Sequence, residues 1–412
     1  MNDKKETRVL ILGGGFGGVA CALKLAELNH PLVKARLVSD KPHFEYHGAL
    51  YRLVTGRSPL EICMPLREIF NGRDVELVED RVVEVNLKKK VVRGESDSIY
   101  GYDVLVMALG SETVYYDTPG LEKLAYGFKS IAEALKLKRH LHQLVGMVAR
   151  EKDKQEQVSG GRIVVVGGGA SGTELAGELA VYLRKLAKGH GVDPTLLSID
   201  LVQSPNRLLP DLPEEMGKRI EEKLRSLGVN VYVNRRVVKE EVEKVYLKDM
   251  EMRAKTLVWT AGVMGNRLYG ETKGLVIDKG GRVEVTTSMR AKGWKRVYVV
   301  GDGAATRWGG MAQTALGDGK LVAENIVRKV GGEKLLKRAN QKPIYAIPVG
   351  PGWAAVLIGE RQYYGVVGWM LRRWLDWKVF TSLLPVGKAW TAFREGGVLS
   401  EQCEVCARAT SD

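Results

Sequence analysis

Two stretches of sequence decide the fold: Arg8-Val-Leu-Ile-Leu-Gly13-Gly-Gly15-Phe-Gly-Gly18 and Arg162-Ile-Val-Val-Val-Gly167-Gly-Gly169-Ala-Ser-Gly172. They align position for position at a constant offset of 154 residues. Each is a short apolar run followed by Gly-x-Gly-x-x-Gly and then by apolar residues at helical spacing. The pattern predicts strand, tight turn and helix twice over, which is typical of α/β domains built on parallel sheets.

Each glycine of the motif has its own physical task. The first allows the tight turn, the second lets the backbone approach a pyrophosphate, and the third lets the helix pack closely on its strand. In that order they are Gly13, Gly15 and Gly18 in the first motif and Gly167, Gly169 and Gly172 in the second. A pyrophosphate would lie against the N–H groups at the positive end of the helix. One copy alone would also fit a plain turn, but two copies predict two dinucleotide sites.

An acidic residue about 20 residues after such a motif normally holds the adenosine ribose. Asp40 fills that place after the first motif, at the end of the strand predicted for residues 35–39. After the second motif the corresponding strand is residues 198–202, and the residue at its end is Gln203. The second site therefore lacks the carboxylate.

Composition and charge limit the class of protein. The chain has 412 residues, of which 45% are apolar, so roughly 150 residues per domain predicts two to three globular domains. We expect no signal peptide and no transmembrane helix, and four cysteines predict a reducing, cytosolic location. The net charge of +14 favours an anionic partner. Nucleic acid is not expected, because no zinc-finger, RNA-recognition or helix-turn-helix signature is present.

Five segments together resemble the flavoproteins with two dinucleotide-binding domains, and more narrowly the type II NADH dehydrogenases, which are single-subunit NADH:quinone oxidoreductases. They are the two glycine motifs, the second extended to Glu178, residues 102–113, Trp259-Thr-Ala-Gly262-Val, and the strand end Val300-Gly301-Asp302. Residues 40–51 and 109–135 extend the likeness, which covers about residues 7–330.

The resemblance implies an α/β fold with two Rossmann-like domains and a C-terminal membrane-associating region. The implied divisions are residues 1–112 and 263–345 for the FAD-binding domain, 113–262 for the NAD(P)H-binding domain, and 346–412 for a membrane-docking or dimerisation region with its tail. The implied cofactor is FAD, with NADH as co-substrate. Since Gln203 does not repel a 2′-phosphate and Arg207 is close in sequence, NADPH is predicted as a second donor.

The resemblance also assigns roles to individual residues. The FAD set is Gly13, Gly15, Phe16, Gly17, Gly18, Asp40, Gly110, Gly301, Asp302 and Ala312. The NAD(P)H set is Gly167, Gly169, Gly172, Gln203 and Gly262. Asp302 would bond the ribityl chain or its phosphate, although an aspartate there can also cap the following helix.

The catalytic assignments are Glu174, Glu178 and Gln313. The two glutamates are four apart, so they share a helix face, and one of them would lie by the nicotinamide or the electron acceptor; partly solvated helix carboxylates are the alternative. Gln313 would lie by the flavin ring with Ala312. No metal is expected, and His43 and His47 are assigned to packing or flavin contact.

The sequence departs from the family at the acceptor pocket and in its cysteines. The usual Ala-Gln-x-Ala-x-Gln-Gln-Gly reads Ala312-Gln-Thr-Ala-Leu-Gly317-Asp318-Gly here, which predicts an altered acceptor pocket. Cys21 and Cys63, the latter in an apolar helical pattern, are poorly placed for the electron relay of sulfide:quinone oxidoreductases. The pair Cys403 and Cys406 fits a redox pair, half a zinc site or incidental thiols in the tail.

The C-terminal region concentrates tryptophans and cations. On a helical projection Arg372, Arg373 and Asp376 group on one side, and Val367, Met370, Leu371 and Trp374 on the other. Aromatic belts and snorkelling cations suit interfacial membrane docking, and the same residues suit a homodimer interface. The resemblance implies a quinone as electron acceptor, and with it we expect a peripheral protein on the inner face of the cell membrane. The alternatives are a soluble reductase of a small redox protein and a flavin- and NADH-binding sensor of the apoptosis-inducing-factor type.

Overall fold

The computed structural model describes residues 6–395. The first part of the chain contains β1 Thr7–Leu12, α1 Phe16–Leu28, β2 Val33–Ser39, β3 His43–Glu45, α2 Leu50–Val54, β4 Cys63–Pro65, α3 Leu66–Ile69, β5 Val75–Glu79, β6 Val82–Asn86, β7 Val91–Gly94, β8 Ile99–Gly101, β9 Val104–Met107 and β10 Ser111–Thr113.

The middle part contains α4 Leu121–Leu124, β11 Tyr126–Gly127, α5 Ile131–Arg150, α6 Lys154–Gly160, β12 Arg162–Val166, α7 Ala170–Gly189, β13 Ser198–Val202, α8 Glu214–Ser226, β14 Val229–Tyr232, β15 Val237–Glu241, β16 Lys244–Leu247, β17 Glu251–Arg253 and β18 Thr256–Trp259.

The last part contains β19 Val263–Gly265, α9 Arg267–Glu271, β20 Val283–Glu284, β21 Val297–Val299, β22 Ala304–Ala305, α10 Ala312–Val330, β23 Tyr345–Pro348, β24 Ala354–Ile358, β25 Arg361–Tyr363, α11 Gly365–Leu383 and α12 Val386–Glu395. Short 3-10 turns cover His47–Ala49, Pro59–Glu61, Pro194–Leu196 and Gly301–Gly303.

The two glycine motifs head two sheets of the same design. The first is a five-stranded parallel sheet in the order β21-β9-β1-β2-β5, and the second is a five-stranded parallel sheet in the order β11-β18-β12-β13-β14. Each is accompanied by a three-stranded antiparallel sheet, β6-β7-β8 for the first and β15-β16-β17 for the second. The predicted fold class, two Rossmann-like α/β units, is confirmed.

Burial on both faces explains the sequences of the central strands. The last four residues of both β1 and β12 are buried, so these strands are continuous apolar runs without polar alternation. The antiparallel pair β10–β19 joins Ser111 to Gly265, and the divisions after residues 112 and 262 stay predictions. Strand β21, which leads into Val300-Gly301-Asp302, lies at the edge of the first sheet beside β9.

The C-terminal part is packed into the body of the protein. The antiparallel sheet β23-β24-β25 lies against α7, where a side chain at Gly177 would meet Val349. Helix α11 then crosses β24 and buries Gly368, Arg372, Asp376, Phe380 and Leu383. Residues 345–395 are therefore an integral layer of the fold.

Candidate functional site

The first glycine turn is held in a tight, pre-formed shape. Gly13 has φ +108°, and a Cβ there would lie 2.3 Å from the carbonyl oxygen of Ala108 on the neighbouring strand. A Cβ at Gly18 would lie 2.0 Å from the carbonyl oxygen of Gly13. A Cβ at Gly15 would meet nothing within 4 Å. The turn therefore needs glycine at its ends for packing, and it leaves open space at the centre, where a phosphate would approach the first N–H groups of α1.

A cleft of about 410 Å³ begins at this turn and runs along the carboxyl ends of β1 and β2. Asp40 is exposed and lines the cleft together with Ser39, Arg81, Glu112 and Arg267. The lining supplies a carboxylate for a ribose and arginines for phosphates, so the residues present fit the adenosine half of FAD. The assignment of Asp40 to the ribose stays a prediction.

The register of the two halves shows that Gln203 is the counterpart of Ser39. The Gly13 N–H donates to Val38 and the Gly167 N–H donates to Val202, so the next residues, Ser39 and Gln203, are equivalent. Asp40 lies one position further on. The sequence comparison, which matched Asp40 to Gln203, was one residue out of register.

The second glycine turn repeats the geometry of the first. Gly167 has φ +114°, a Cβ at Gly172 would lie 1.9 Å from the Gly167 carbonyl oxygen, and a Cβ at Gly169 would meet nothing within 4 Å. Helix α7 begins directly after this turn. The equivalent open space and helix N-terminus fit the pyrophosphate of a second dinucleotide.

Gln203 is buried and its amide closes this turn. Its Oε1 accepts from the Gly168 N–H at 2.8 Å, and its Nε2 donates to the carbonyl of Arg207 at 3.4 Å. The Arg207 guanidinium donates to the carbonyls of Leu209, Pro210 and Leu212. Arg207 was the cation expected to bind a 2′-phosphate, but these bonds direct its guanidinium to its own loop. The prediction that NADPH is a second donor therefore loses support.

Asp302 connects three parts of the site. It lies in the 3-10 turn after β21, where its Oδ2 accepts from the Ser111 hydroxyl at 2.8 Å. The Lys129 ammonium donates to the same hydroxyl at 2.9 Å and lies 4.0 Å from the Asp302 carboxylate. Helix α10 begins without a side-chain cap, so the capping alternative for Asp302 is wrong. Its proposed contact with the ribityl chain stays a prediction.

The other predicted FAD glycines lie around the same turns. Gly110, with φ +70°, follows β9 and has open space at its Cβ position. Gly301, with φ +68°, faces Ala315, and Gly17 packs against Val300. Gly262 is buried beneath Tyr116. Gly17 and Gly262 thus have clear packing roles, and their binding roles stay predictions.

An aromatic wall stands beside the first turn. The Phe16 ring lies 4.8 Å from that of Phe44 and 6.0 Å from that of Tyr46, between ring centroids.

Glu45 lies 3.3 Å from His47 and 2.7 Å from Lys41. Burial opposes ionisation of Glu45, but its bonds to His47 and Lys41 outweigh burial and lower its pKa to about 2. In the described residues no group of ligands suits a metal ion.

Glu174 and Glu178 lie half-buried on one face of α7, which packs against α2. Burial raises the pKa of Glu174 to about 8, although Arg372 and Arg52 oppose the shift. Burial also raises the pKa of Glu178. A pKa near 8 favours the protonated form of the Glu174 carboxyl at neutral pH. Both side chains are partly exposed, so partly solvated carboxylates remain the alternative. A neutral carboxyl can hold and release a proton near a reacting acceptor.

Under Glu174 lies a buried ion cluster, which comprises Tyr46, Arg52, Glu61, Arg372, Arg373 and Asp376. Asp376 is fully buried and accepts from Tyr46 at 2.5 Å, Arg372 at 2.5 Å and Arg52 at 3.0 Å. Glu61 is also fully buried and lies 2.5 Å from Arg52 and 2.6 Å from Arg373. The cluster ties α11 to the segment that follows the aromatic wall.

The substituted motif on α10 is arranged differently from the prediction. Asp318 is buried and accepts from Arg338 at 2.7 Å, so it holds the segment between α10 and β23 and does not line an acceptor pocket. Gly317 is exposed, with open space at its Cβ position. Gln313 is exposed and accepts from the Ile344 N–H at 2.9 Å, next to half-buried Ala312. The effect of Gly317 on an acceptor pocket and the role of Gln313 stay predictions.

The described cysteines are not arranged as a relay. Cys21 is buried within α1, and burial raises its pKa. Cys63 begins strand β4, so the helical interpretation of its surroundings was wrong. Both thiols are free. Cys403 and Cys406 lie outside the described residues.

Helix α11 places its charged face inward and its apolar face outward. Arg372 and Asp376 are buried, whereas Val366, Met370 and Trp374 are 65%, 61% and 46% exposed. Val386 and Trp390 of α12 continue the exposed apolar surface. Within residues 6–395 we find no helix that is long and apolar enough to cross a bilayer.

The sequence profile of the pyridine nucleotide-disulphide oxidoreductases matches residues 7–319, which include both glycine turns, both parallel sheets and Asp302. The chain belongs to this family. The name of the family refers to disulphide chemistry, yet the described part of this member has two free cysteines and no disulphide.

Individual relatives narrow the comparison. The chain is 28% identical to a type II NADH:quinone oxidoreductase of Mycobacterium tuberculosis over 396 residues, covering 90% of this chain and 83% of that one. Among solved structures, NDH2 of Plasmodium falciparum in complex with NADH superimposes with a TM-score of 0.86 at 16% identity, covering 97% and 99% of the two chains. The sulfide:quinone oxidoreductase of Aquifex aeolicus superimposes with a TM-score of 0.77 at 19% identity, covering 94% and 92%. At these identities the structural matches show the fold alone.

Sequence reasoning missed Tyr46, Arg52, Glu61, Ser111 and Lys129. They lie outside the glycine motifs and meet only through the fold, since Tyr46 and Asp376 are 330 residues apart in sequence. One signal was available. Arg372 and Asp376 form an opposite-charge pair at i,i+4 in a tryptophan-rich helix, and such a pair with an apolar opposite face can mark the buried side of a helix whose other side meets a non-aqueous surface.

Proposed function

We propose that this protein is an FAD-dependent oxidoreductase that takes hydride from NADH and passes electrons to a membrane quinone. The observation that carries the proposal is the pair of matched glycine turns, each with open space at its central glycine and each followed by a helix N-terminus. One turn serves a resident dinucleotide and the other a dinucleotide that exchanges. The similarity to type II NADH:quinone oxidoreductases over most of the chain supports the choice of donor and acceptor.

The overall reaction balances as NADH plus a proton plus quinone giving NAD⁺ plus quinol. Gly13, Gly15 and Gly18 would hold FAD at the first turn, where the bound flavin would supply hydride acceptance and two-electron transfer. The chain binds the pyrophosphate of each dinucleotide on backbone N–H groups, and it bonds Asp302 to Ser111 at the junction of the two domains. Glu174, neutral at physiological pH, would hold the proton that the quinone requires. No covalent nucleophile is needed.

The outward apolar face of α11 and α12 supports a membrane acceptor. Tryptophans and aliphatic side chains on one exposed surface are typical of helices that lie in the interface of a bilayer. Lys378 lies 4.0 Å over the ring of Trp374, where its stem covers apolar surface and its ammonium can reach head groups. We infer peripheral attachment to the inner face of the cell membrane. A homodimer through the same face is the competing outcome.

Anaerobic mixing of the purified, flavin-loaded protein with NADH tests the proposal. The flavin absorbance should bleach on NADH addition and return on addition of a quinone in vesicles. Ferricyanide serves as the control acceptor, because it reports hydride transfer without a quinone site. Fast reduction of the flavin by NADH with negligible reoxidation by quinone would overturn the quinone assignment. It would favour a flavin- and NADH-binding sensor or a soluble reductase of a small redox protein.

Attachment is tested by sedimentation with anionic vesicles. Trp374→Ser and Trp390→Ser should reduce sedimentation, whereas Trp294→Ser, a change at a tryptophan that bonds the Gly274 carbonyl elsewhere in the fold, should not. A full-length protein that stays in the supernatant and migrates as a dimer would identify the face as a subunit interface.

A further inference from the structure

A separate cleft of about 290 Å³ lies between α1, α10 and the C-terminal end of α11. None of its lining residues belongs to either glycine turn. Its apolar part includes Leu23, Leu316 and Leu383, one from each helix. Leu383 is the last residue of α11, and exposed Val386 begins α12 three positions later. The cleft is therefore continuous in sequence with the outward apolar surface.

The rim of the cleft carries an excess of positive charge. Lys24, Arg73 and Lys320 line it, and Glu27 is the carboxylate among the lining residues. Lys24 lies 3.0 Å from Glu27 and 3.9 Å from Glu324, so these carboxylates neutralise Lys24. Arg73 and Lys320 are exposed, and within residues 6–395 neither has a carboxylate at salt-bridge distance. Two cations thus remain uncompensated beside an apolar pocket.

We propose that this cleft binds the head group of an anionic phospholipid. Arg73 and Lys320 would bind the phosphate, the Ser382 side of the cleft would meet the glycerol region, and the leucines would contact the first carbons of the acyl chains. The inference deepens the proposed membrane attachment and rests on it. The outward apolar face does not distinguish lipids by their charge. The proposed cleft would add a defined site that does.

The combination of charge and apolar surface favours a lipid over a soluble phosphate. Guanidinium and ammonium groups bind any phosphate. A soluble nucleotide or inorganic phosphate, however, gains nothing from three leucines, whereas a phospholipid places hydrocarbon directly beside its phosphate. Cations beside an anionic leaflet also gain from its surface potential, and the α12 surface, which begins three residues after Leu383, would already lie in the bilayer interface.

The test uses the full-length, flavin-loaded protein and the double variant Arg73→Gln/Lys320→Gln. The matched control is Lys123→Gln/Lys188→Gln, which removes two exposed cations elsewhere and so changes the net charge equally. We expect the cleft variant to bind phosphatidylglycerol-containing vesicles about tenfold or more weakly than the control, and phosphatidylcholine vesicles equally well. NADH–ferricyanide turnover should be the same in all three proteins. Equal vesicle binding by the two variants would overturn the site.

A second measurement separates this site from membrane docking in general. A short-chain, soluble phosphatidylglycerol below its micelle concentration should raise the melting temperature of the unmodified protein and of the control, but not that of the cleft variant. This result would support the lipid site even if the protein bound no vesicles at all. In that case only the proposal of membrane docking would be refuted. The absence of a shift with the short-chain lipid, or an equal shift with inorganic phosphate, would refute a lipid site.

Glu27 provides a converse variant. Its carboxylate lies within the cleft, where it would oppose a phosphate and where it holds Lys24. Glu27→Gln should therefore strengthen binding to phosphatidylglycerol vesicles more than Glu222→Gln, a matched change at an exposed helix glutamate. Equal effects of the two changes would contradict a phosphate held in this cleft.

Discussion

Valine at the central glycine of each turn should separate the two dinucleotide sites in one experiment. Gly15 has φ −84° and ψ −171°, and Gly169 has φ −77° and ψ −171°. Any residue adopts that extended conformation. A Cβ at either position meets no protein atom within 4 Å. The structure thus leaves open space for a Cβ at both positions, and a bound pyrophosphate would collide with a valine side chain there.

The magnitudes follow from these contacts. With no clash and no strained backbone, each change should alter the free energy of unfolding by about 1 kcal/mol or less, the scale of a modified helix N-cap. A valine side chain in the pyrophosphate position should lower affinity at least a hundredfold, which is about 2.7 kcal/mol. Gly15→Val should therefore give folded, colourless protein. Gly169→Val should give folded, yellow protein whose KM for NADH rises.

Flavin absorbance, circular dichroism and steady-state kinetics measure the three quantities. Gly18→Ala serves as the contrasting control, because its Cβ would lie 2.0 Å from the Gly13 carbonyl oxygen and should damage the fold itself. If Gly15→Val keeps stoichiometric FAD, or if Gly169→Val loses FAD while Gly15→Val does not, the assignment of the two turns is refuted.

Three further substitutions have defined outcomes. Asp376→Ala should lower the free energy of unfolding by about 3–5 kcal/mol, because it leaves buried arginines without their carboxylate partner. Denaturant titration measures this loss, and a value below about 1 kcal/mol would contradict the ion cluster. Burial raises the pKa of Glu174 from 4.5 to about 8, so as pH rises this carboxyl ionises in the unfolded chain before it ionises in the folded protein. The free energy of unfolding therefore falls between those two pH values, by about 5 kcal/mol in all. Glu174→Gln should flatten that fall when unfolding is compared at about pH 6 and about pH 9, and unchanged slopes would show that Glu174 titrates normally. Ser204→Asp puts a carboxylate at the counterpart of Asp40, so turnover with NADPH should drop while turnover with NADH is kept; equal NADPH kinetics would place the 2′ position elsewhere.

Local sequence was sufficient for the two α/β units because the decisive interactions are local. The turn, the helix start and the close helix–strand contact all lie within about eleven residues of each motif, and each depends on glycine for a steric reason. The strands could be recognised because parallel strands buried on both faces are apolar throughout. The antiparallel sheets β6-β7-β8 and β15-β16-β17 were not foreseen, since their short, half-exposed strands have no distinctive period.

The candidate site was only partly predictable, and its errors have physical causes. The ribose position was displaced by one residue because sequence alone does not fix which residue ends a strand; the hydrogen bonds of Gly13 and Gly167 do. Asp318 was misplaced because a family motif gives residue types but not directions. Its side chain turns toward Arg338, in a segment that carries no motif. Lys129 and Ser111 were missed because their partner, Asp302, is 173 and 191 residues away in sequence.

The C-terminal helix shows why an apolar face and a charged face do not by themselves say which one is buried. The usual expectation directs charges to water and apolar residues to the core, and here the three arginines of the ion cluster share two fully buried carboxylates beneath α11. Pairing within the cluster offsets part of the desolvation cost of those charges, and it fixes the orientation of the helix through specific donors and acceptors. The apolar face of α11 then remains exposed to water, which is unfavourable unless a bilayer or another apolar surface covers it. Asp376 accepts from Tyr46 of the aromatic wall, and Arg372 donates to the Gly48 carbonyl next to it. The surface proposed to meet the bilayer and the site proposed to reduce the quinone are therefore held in place by the same few side chains.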